Sequence, residues 1–495
     1  MFGFKFLGNT RIPHKKSTAD SLSVRMAPPA EVLLPMAQHI GAPATPIVKV
    51  GDLVKVGQKV AEASGYVSSP VYASVSGKVT KLDSYLRPDG RTVPAIRIES
   101  DGEMTPCETV CPPSVESLEE LLSAVKESGL VGLGGAGFPT SVKLDALKKG
   151  LIDTVVVNGA ECEPYITSDT RTMLEDTDDV VEGVSVLNRF LPRAKIIIGI
   201  EDNKSACIKL LRERLAERES VSVVALPSLY PQGGEKVLVY NTTRRVIPEG
   251  KLPADVGVLV INVTSLAFIA QYLRTGMPLV EKRVTIDGGA VRNPMNIIAP
   301  IGTSIRAIAE ACGGFTEELG KVLFGGPMMG VPACNLDEPI AKTTNALTAL
   351  TEAEADVPDA TACIHCGRCV SACPMYLNPT AFSRALNLAL TEDRVERLEA
   401  YKINLCMECG CCSFVCPAKR PLVQNNRLGK AEVRSYRSHQ AGLKNAEGNP
   451  PSPAKDAAQA VTPVDEKVKE TPDKQKAEAV GNLHENKANE KGEQV

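Results

Sequence analysis

Two copies of one cysteine pattern constrain this chain more than anything else in it. The first is Cys363, Cys366, Cys369 and Cys373, followed by Pro374; the second is Cys406, Cys409, Cys412 and Cys416, followed by Pro417. Each reads C-x2-C-x2-C-x3-C-P, the spacing of a [4Fe–4S] ligand run. Three thiolates at this interval wrap a tight loop around one side of a cubane. The fourth, before a chain-turning proline, reaches the other cluster. The expected ligand sets are therefore Cys363, Cys366, Cys369 and Cys416 for one cluster, and Cys406, Cys409, Cys412 and Cys373 for the other. Zinc sites normally use separated C-x2-C pairs, and disulfides impose no such interval. Cys411 fits neither run and reads as a bland thiol.

The 495 residues suggest three or four domains. The hydrophobic fraction of 43% is enough for real cores. Aromatics make up 4%, Trp is absent and the net charge is −3, so neither a stacking surface nor a basic footprint for nucleic acid is present. Cluster thiolates must stay reduced, which places the chain in a reducing compartment. The first residues, MFGFKFLGNTRIPHKKS, have no apolar h-region or A-x-A site, so no signal peptide is expected. No run reaches the roughly 18 uninterrupted apolar residues of a membrane span. Any membrane attachment is expected to go through partners.

Residues 1–25 read as an extended polar segment. Residues 26–112 alternate apolar and polar residues between glycine turns, as in PIVKVGDLVKVGQKVAE and SPVYASVSGKV. The phrasing is similar to barrel-sandwich modules of the biotinyl/lipoyl kind. The central turn holds Ser68, Ser69 and Pro70 where a carrier would present lysine, so a structural module is expected. Strands alternate with helices over 113–278, which predicts a parallel α/β sheet. Residues 279–335 read as a small β-grasp, 345–435 as the two-cluster segment, and 437–495 as a disordered charged tail. The fold class is thus multidomain α/β.

Gly132-Leu133-Gly134-Gly135-Ala136-Gly137 matches G-x-G-x-x-G, but a helix precedes it and a strand follows, the reverse of a Rossmann fingerprint. The glycines still let backbone N–H groups approach a phosphate or a flat ring. Asn158, Glu161 and Glu163 follow a buried strand, at the end where open α/β sheets bind ligands. Two acids there suit ribose hydroxyls or a nicotinamide amide better than phosphate; an exposed acidic loop reads the same way. Lys143 either neutralises a phosphate or reduced flavin, or is a solvated helix lysine.

The segments GLGGAGFPTSVKL, VVVNGAECEPYITSD and VLVINVTSL resemble three stretches of the flavin- and NADH-binding subunit of respiratory complex I, and of the diaphorase subunits of NAD-linked hydrogenases. The order of barrel, flavin domain, SLBB-type β-grasp and two clusters most resembles the RnfC or RsxC family, peripheral subunits of Rnf ion-translocating complexes. That resemblance implies FMN lined by Gly132, Gly134, Gly135 and Gly137, with Lys143 near it and Asn158 at the flavin edge. It places Asn262 and Thr264 near the ribityl chain or phosphate, and Glu235, in GGEK, on the flavin side. Phe138 would stack on the dinucleotide and Glu163 would bind its nicotinamide end. Ala160 and Lys236 stand where complex I subunits carry acids. The implied function is hydride exchange between NAD(H) and FMN, and single-electron transfer between FMN and two [4Fe–4S] clusters. The setting implied is a membrane-bound ferredoxin:NAD⁺ oxidoreductase coupled to Na⁺ or H⁺ movement. Its implied partners are the other Rnf membrane subunits and a ferredoxin or ferredoxin-like subunit, on the cytoplasmic face of the inner membrane. A soluble reductase of the cobalamin-reductase type, or a relay scaffold with a dead flavin pocket, would use the same modules.

Overall fold

The computed structural model describes residues 10–87 and 90–448. At its centre four parallel strands lie in the order Val221–Leu226, Lys195–Glu201, Thr154–Gly159, Val258–Asn262. Their β-branched runs suit burial on both faces. Val155 and Val157 pack into one core with Val180, Val184 and Leu266. Val156, facing the other way, packs with Leu238 and Val239. The helix ahead of the sheet, Leu118–Glu127, starts at a capping box in which Ser117 and Glu120 satisfy each other's backbone N–H.

The barrel consists of two small antiparallel sheets. One runs Glu31–Pro35, Thr92–Ser100, Gly77–Leu86, Leu53–Val54; the other runs Thr45–Pro46, Lys59–Glu62, Val71–Tyr72. The turn that would carry a modified lysine is buried. Ser69 Oγ donates to Gly129 O at 3.1 Å. The buried Lys342 ammonium donates to Ser69 Oγ, Pro70 O and Gly129 O at 3.1, 2.6 and 2.7 Å. A swinging arm needs a free tip, and this one is locked onto the flavin domain.

The β-grasp region differs from its sequence outline. Its six-stranded sheet runs Val24–Arg25, Met295–Pro300, Glu281–Asp287, Ala346–Thr351, Leu319–Phe324, Val331–Pro332. The Ala346–Thr351 strand, expected in the cluster segment, sits inside this sheet, paired parallel to Glu281–Asp287. The edge strand Val24–Arg25 comes from the N-terminal segment. Pairing between segments so distant in sequence leaves no local signature.

The cluster segment is short helices and loops, ending in the helix Leu422–Gly448. The predicted tail is therefore helical over 437–448. The rest of it, and residues 1–9, lie outside the described residues. Among the described residues, no helix is long and apolar enough to cross a membrane.

Candidate redox site

The strand order reverses between Thr154–Gly159 and Val258–Asn262, and a crevice at the carboxyl ends of such a pair is where open α/β sheets take ligands. Asn158 and Asn262 end the two strands opposite each other in register. Over them lies the glycine loop, closed by Gly132 N–H donating to Phe138 O at 2.8 Å and Gly137 N–H donating to Gly132 O at 3.2 Å. A Cβ on Gly134 would meet Asn262 Nδ2 at 3.3 Å. Gly135 has φ +110°, and nothing lies within 4 Å of where its Cβ would stand. The loop therefore opens on that side with bare backbone, which suits the close approach of a flat ring such as flavin. Phe138 is half-buried beside it.

The polar candidates are largely engaged with protein. Asn158 Nδ2 donates to Gly233 O at 3.0 Å. Lys143 pairs with Glu235 at 3.1 Å, joining two of the sequence candidates. Asn262 Nδ2 and Thr264 Oγ1 both donate to Asp169, at 2.8 and 2.6 Å, while Asn262 Oδ1 caps the following helix through Ser265 N–H. Asp169 is buried and escaped sequence analysis. So did Lys282, whose ammonium lies under the glycine loop, donating to Leu133 O at 3.2 Å; burial pushes it down to about 8. The one sign of Lys282 in the sequence is a lysine inside an otherwise apolar-alternating strand.

Glu161 corrects an expectation. Its carboxylate does not face a ligand but accepts Asp169 N–H at 2.6 Å, Thr170 N–H at 3.2 Å and Thr170 Oγ1–H at 2.5 Å. It thus caps the helix Ser168–Glu175, satisfying donors left free at a helix start. Two lysines hold the acidic loop by its carbonyls. Lys16 Nζ donates to Glu161 O at 2.9 Å, Glu163 O at 2.7 Å and Ile166 O, and Lys204 Nζ donates to Ala160 O at 2.7 Å. The N-terminal segment is thereby a strap across the loop. Glu163 is also employed within the protein, accepting Met328 N–H at 3.2 Å, Met329 N–H at 2.8 Å and Tyr230 O–H at 3.3 Å.

The two cysteine loops repeat one backbone conformation. His365 and Gly367 in the first, and Glu408 and Gly410 in the second, have φ of 55°, 75°, 58° and 80°. Tyr376 and Lys419, each three residues past the fourth cysteine, have φ of 55° and 51°. Alternation of left- and right-handed residues turns successive N–H groups inward, as in the nests that bind anionic Fe–S centres. Cys369 lies within electrostatic reach of Cys416 and Cys363. Cys373 lies within reach of Cys409 and Cys406, and Cys412 of Cys406, Cys409 and Cys373. The second group lines an enclosed cavity with Phe382, Val423 and Asn426. In the first group Cys366 is exposed, beside an open groove lined by Arg11, Arg368 and Phe414. Cys411 is buried, its Sγ 4.0 Å from Tyr230 O; its thiol is pushed strongly up, first by donating to Cys409 and then by burial.

Flavin-side loops and the second cysteine loop touch. A Cβ on Gly234, one residue before Glu235, would overlap Met407 Cε. A Cβ on Gly410 would meet Met328 O at 2.7 Å. Tyr230, Cys162, Met328, Met407, Cys409 and Cys411 share one apolar cluster.

Family models match the chain in the same order as these regions. They are the barrel sandwich hybrid domain of RnfC (residues 4–103), the Nuo51 FMN-binding domain (125–271), an SLBB domain (283–332) and a 4Fe-4S dicluster domain (359–420). These define a flavin- and iron–sulfur-dependent electron-transfer protein. The RnfC-type subunit of the proton-translocating ferredoxin:NAD(+) oxidoreductase complex of Clostridium ljungdahlii is 43% identical over 85% of this chain and 92% of its own length. The Na(+)-translocating counterpart from Acetobacterium woodii is 41% identical over 87% and 98%. The corresponding subunit of the ion-translocating oxidoreductase complex of Pseudomonas aeruginosa is 41% identical over 87% of this chain and 56% of its own length. The chain belongs to this RnfC family. A solved NAD⁺-reducing [NiFe]-hydrogenase in the air-oxidised state aligns at 19% identity with a TM-score of 0.46, covering 64% of this chain and 61% of that one; at that score it carries no argument.

Proposed function

We propose that this chain is the NAD(H)-linked electron-transfer subunit of an ion-translocating ferredoxin:NAD⁺ oxidoreductase, with the route running nicotinamide, FMN, inner cluster, outer cluster, partner. FMN supplies the exchange between two-electron hydride chemistry and one-electron transfer, and the clusters supply the one-electron steps. The glycine loop bares its backbone at Gly135 to seat the flavin, and Asn158 and Asn262 floor the crevice. The Lys143–Glu235 pair closes one wall, and Phe138 stands where a dinucleotide would stack. Cys406, Cys409, Cys412 and Cys373 hold the inner cluster in the enclosed cavity. Cys363, Cys366, Cys369 and Cys416 hold the outer one.

The observation that carries this reading is the seat of Met407, between two ligands of the second loop, against Gly234 beside the flavin crevice. It puts the cluster of the second loop next to the flavin and leaves the other facing outward. Around that outer face Cys366, Arg11, Arg368 and Phe414 are exposed, a basic and apolar surface suited to an acidic ferredoxin-like partner. Membrane association then runs through the other subunits of the complex, on the reducing side, where thiolate ligands persist.

The test is an anaerobic NADH titration followed by visible absorbance and low-temperature EPR. In Cys409→Ala, NADH is expected to bleach the flavin and leave the outer cluster oxidised. In Cys366→Ala, the inner cluster is expected to be reduced as in the parent. The reverse pattern would sink the proposed order.

A further inference from the structure

Asn426 lies on the helix Leu422–Gly448 and is 1% exposed. Its Nδ2 sits 3.4 Å from Cys406 Sγ, and its Oδ1 is buried with no hydrogen-bond partner. The residue lines the cavity shared by Cys373, Cys406, Cys409 and Cys412. A buried carbonyl without a donor is costly, and an apolar side chain of the same shape would avoid that cost. Turning the amide over would set the oxygen against a thiolate, so the N–H must face the sulfur. A hydrogen bond to a ligand sulfur favours the more negative, reduced state of an iron–sulfur cluster and raises its potential.

We propose that Asn426 is a positioning residue for the flavin-proximal cluster, donating its amide N–H to the Cys406 sulfur and thereby raising that cluster's potential relative to what the apolar cavity alone would set. Lys430, one turn further on, supports the arrangement, donating to Cys406 O at 3.0 Å and pairing with Glu408 at 2.6 Å. The role of Asn426 rests on the ligand sets given above.

The test is an EPR-monitored redox titration of the full chain with both clusters loaded, comparing the parent with Asn426→Leu after counting iron. Asn426→Leu is expected to keep the parent's iron and to shift one midpoint negative while the other stays put. At fixed potential the reduced-to-oxidised ratio of that cluster should fall three- to tenfold, tenfold being about 59 mV for one electron. Asn426→Ser, which keeps a donor, is expected to fall between parent and Leu. Two unmoved midpoints at full iron content would overturn the role of Asn426. A parent chain holding no [4Fe–4S] clusters would instead overturn the ligand sets beneath it. If Asn426→Leu loses iron, Asn426→Ser is titrated in its place, and an unmoved midpoint there overturns the proposal.

Discussion

Glu163 was expected at the nicotinamide, and the structure gives it three donors to satisfy elsewhere. In Glu163→Ala the Met328 and Met329 N–H groups and the Tyr230 hydroxyl lose their common acceptor. A buried donor left without a partner costs about 1–3 kcal/mol. Met329 is exposed at 42%, so water can replace the acceptor there, and the tyrosine hydroxyl can rotate. That leaves roughly one buried N–H to account for, about 1–3 kcal/mol of local stability, or about a 5- to 150-fold rise in opening. The loss falls on the loop 325–330, whose Met328 carbonyl packs on Gly410 of the inner cluster loop. Native-state hydrogen exchange of that loop is the assay, run beside stopped-flow reduction of the flavin by NADH. Protection at 326–330 is expected to fall by that factor, with flavin content unchanged and electron arrival at the inner cluster slowed. If protection is untouched while NADH no longer reduces the flavin, the clasp argument fails and the carboxylate acts on the nicotinamide instead.

Two further perturbations follow from local geometry. Gly135→Ala places a side chain at φ +110° on the open face of the glycine loop; the strain costs about 1–3 kcal/mol, and FMN retained after gel filtration is expected to drop sharply, an unchanged flavin content counting against the cradle. His39 sits beneath the loop with Ser69 N–H directed at its Nε2 at 3.1 Å, and burial, helped by the Lys342 charge, holds it down to about 4. A folded-state pKa below the unfolded value means its contribution is whole above about 6.5 and lost as the pH falls towards 4, about 2–3 kcal/mol in all. Thermal unfolding at pH 7 and pH 5 should therefore differ less in His39→Gln than in the parent, and equal differences would remove His39 as a source of acid sensitivity.

What was legible in the sequence was short-range. Ligand spacing around a cluster is set by a dozen consecutive residues, and Gly367 and Gly410 stand where the loop needs a positive φ. Buried parallel strands announce themselves as runs such as Thr154–Gly159, because both faces are covered. The glycine loop reads from its own composition. The employment of the polar groups was decided by the tertiary structure alone. Glu161 and Glu163 are two residues apart and look alike, yet one caps a helix and the other grips a loop 165 residues away. Lys16 and Lys282 read as ordinary surface lysines until distant segments bury them beside backbone carbonyls. Ala346–Thr351 enters a sheet that begins with Val24–Arg25 for the same reason. A residue's spacing and backbone needs are properties of its neighbours in the chain, whereas the partner of a buried charge or an unpaired strand edge is whatever the folded chain brings within hydrogen-bonding distance.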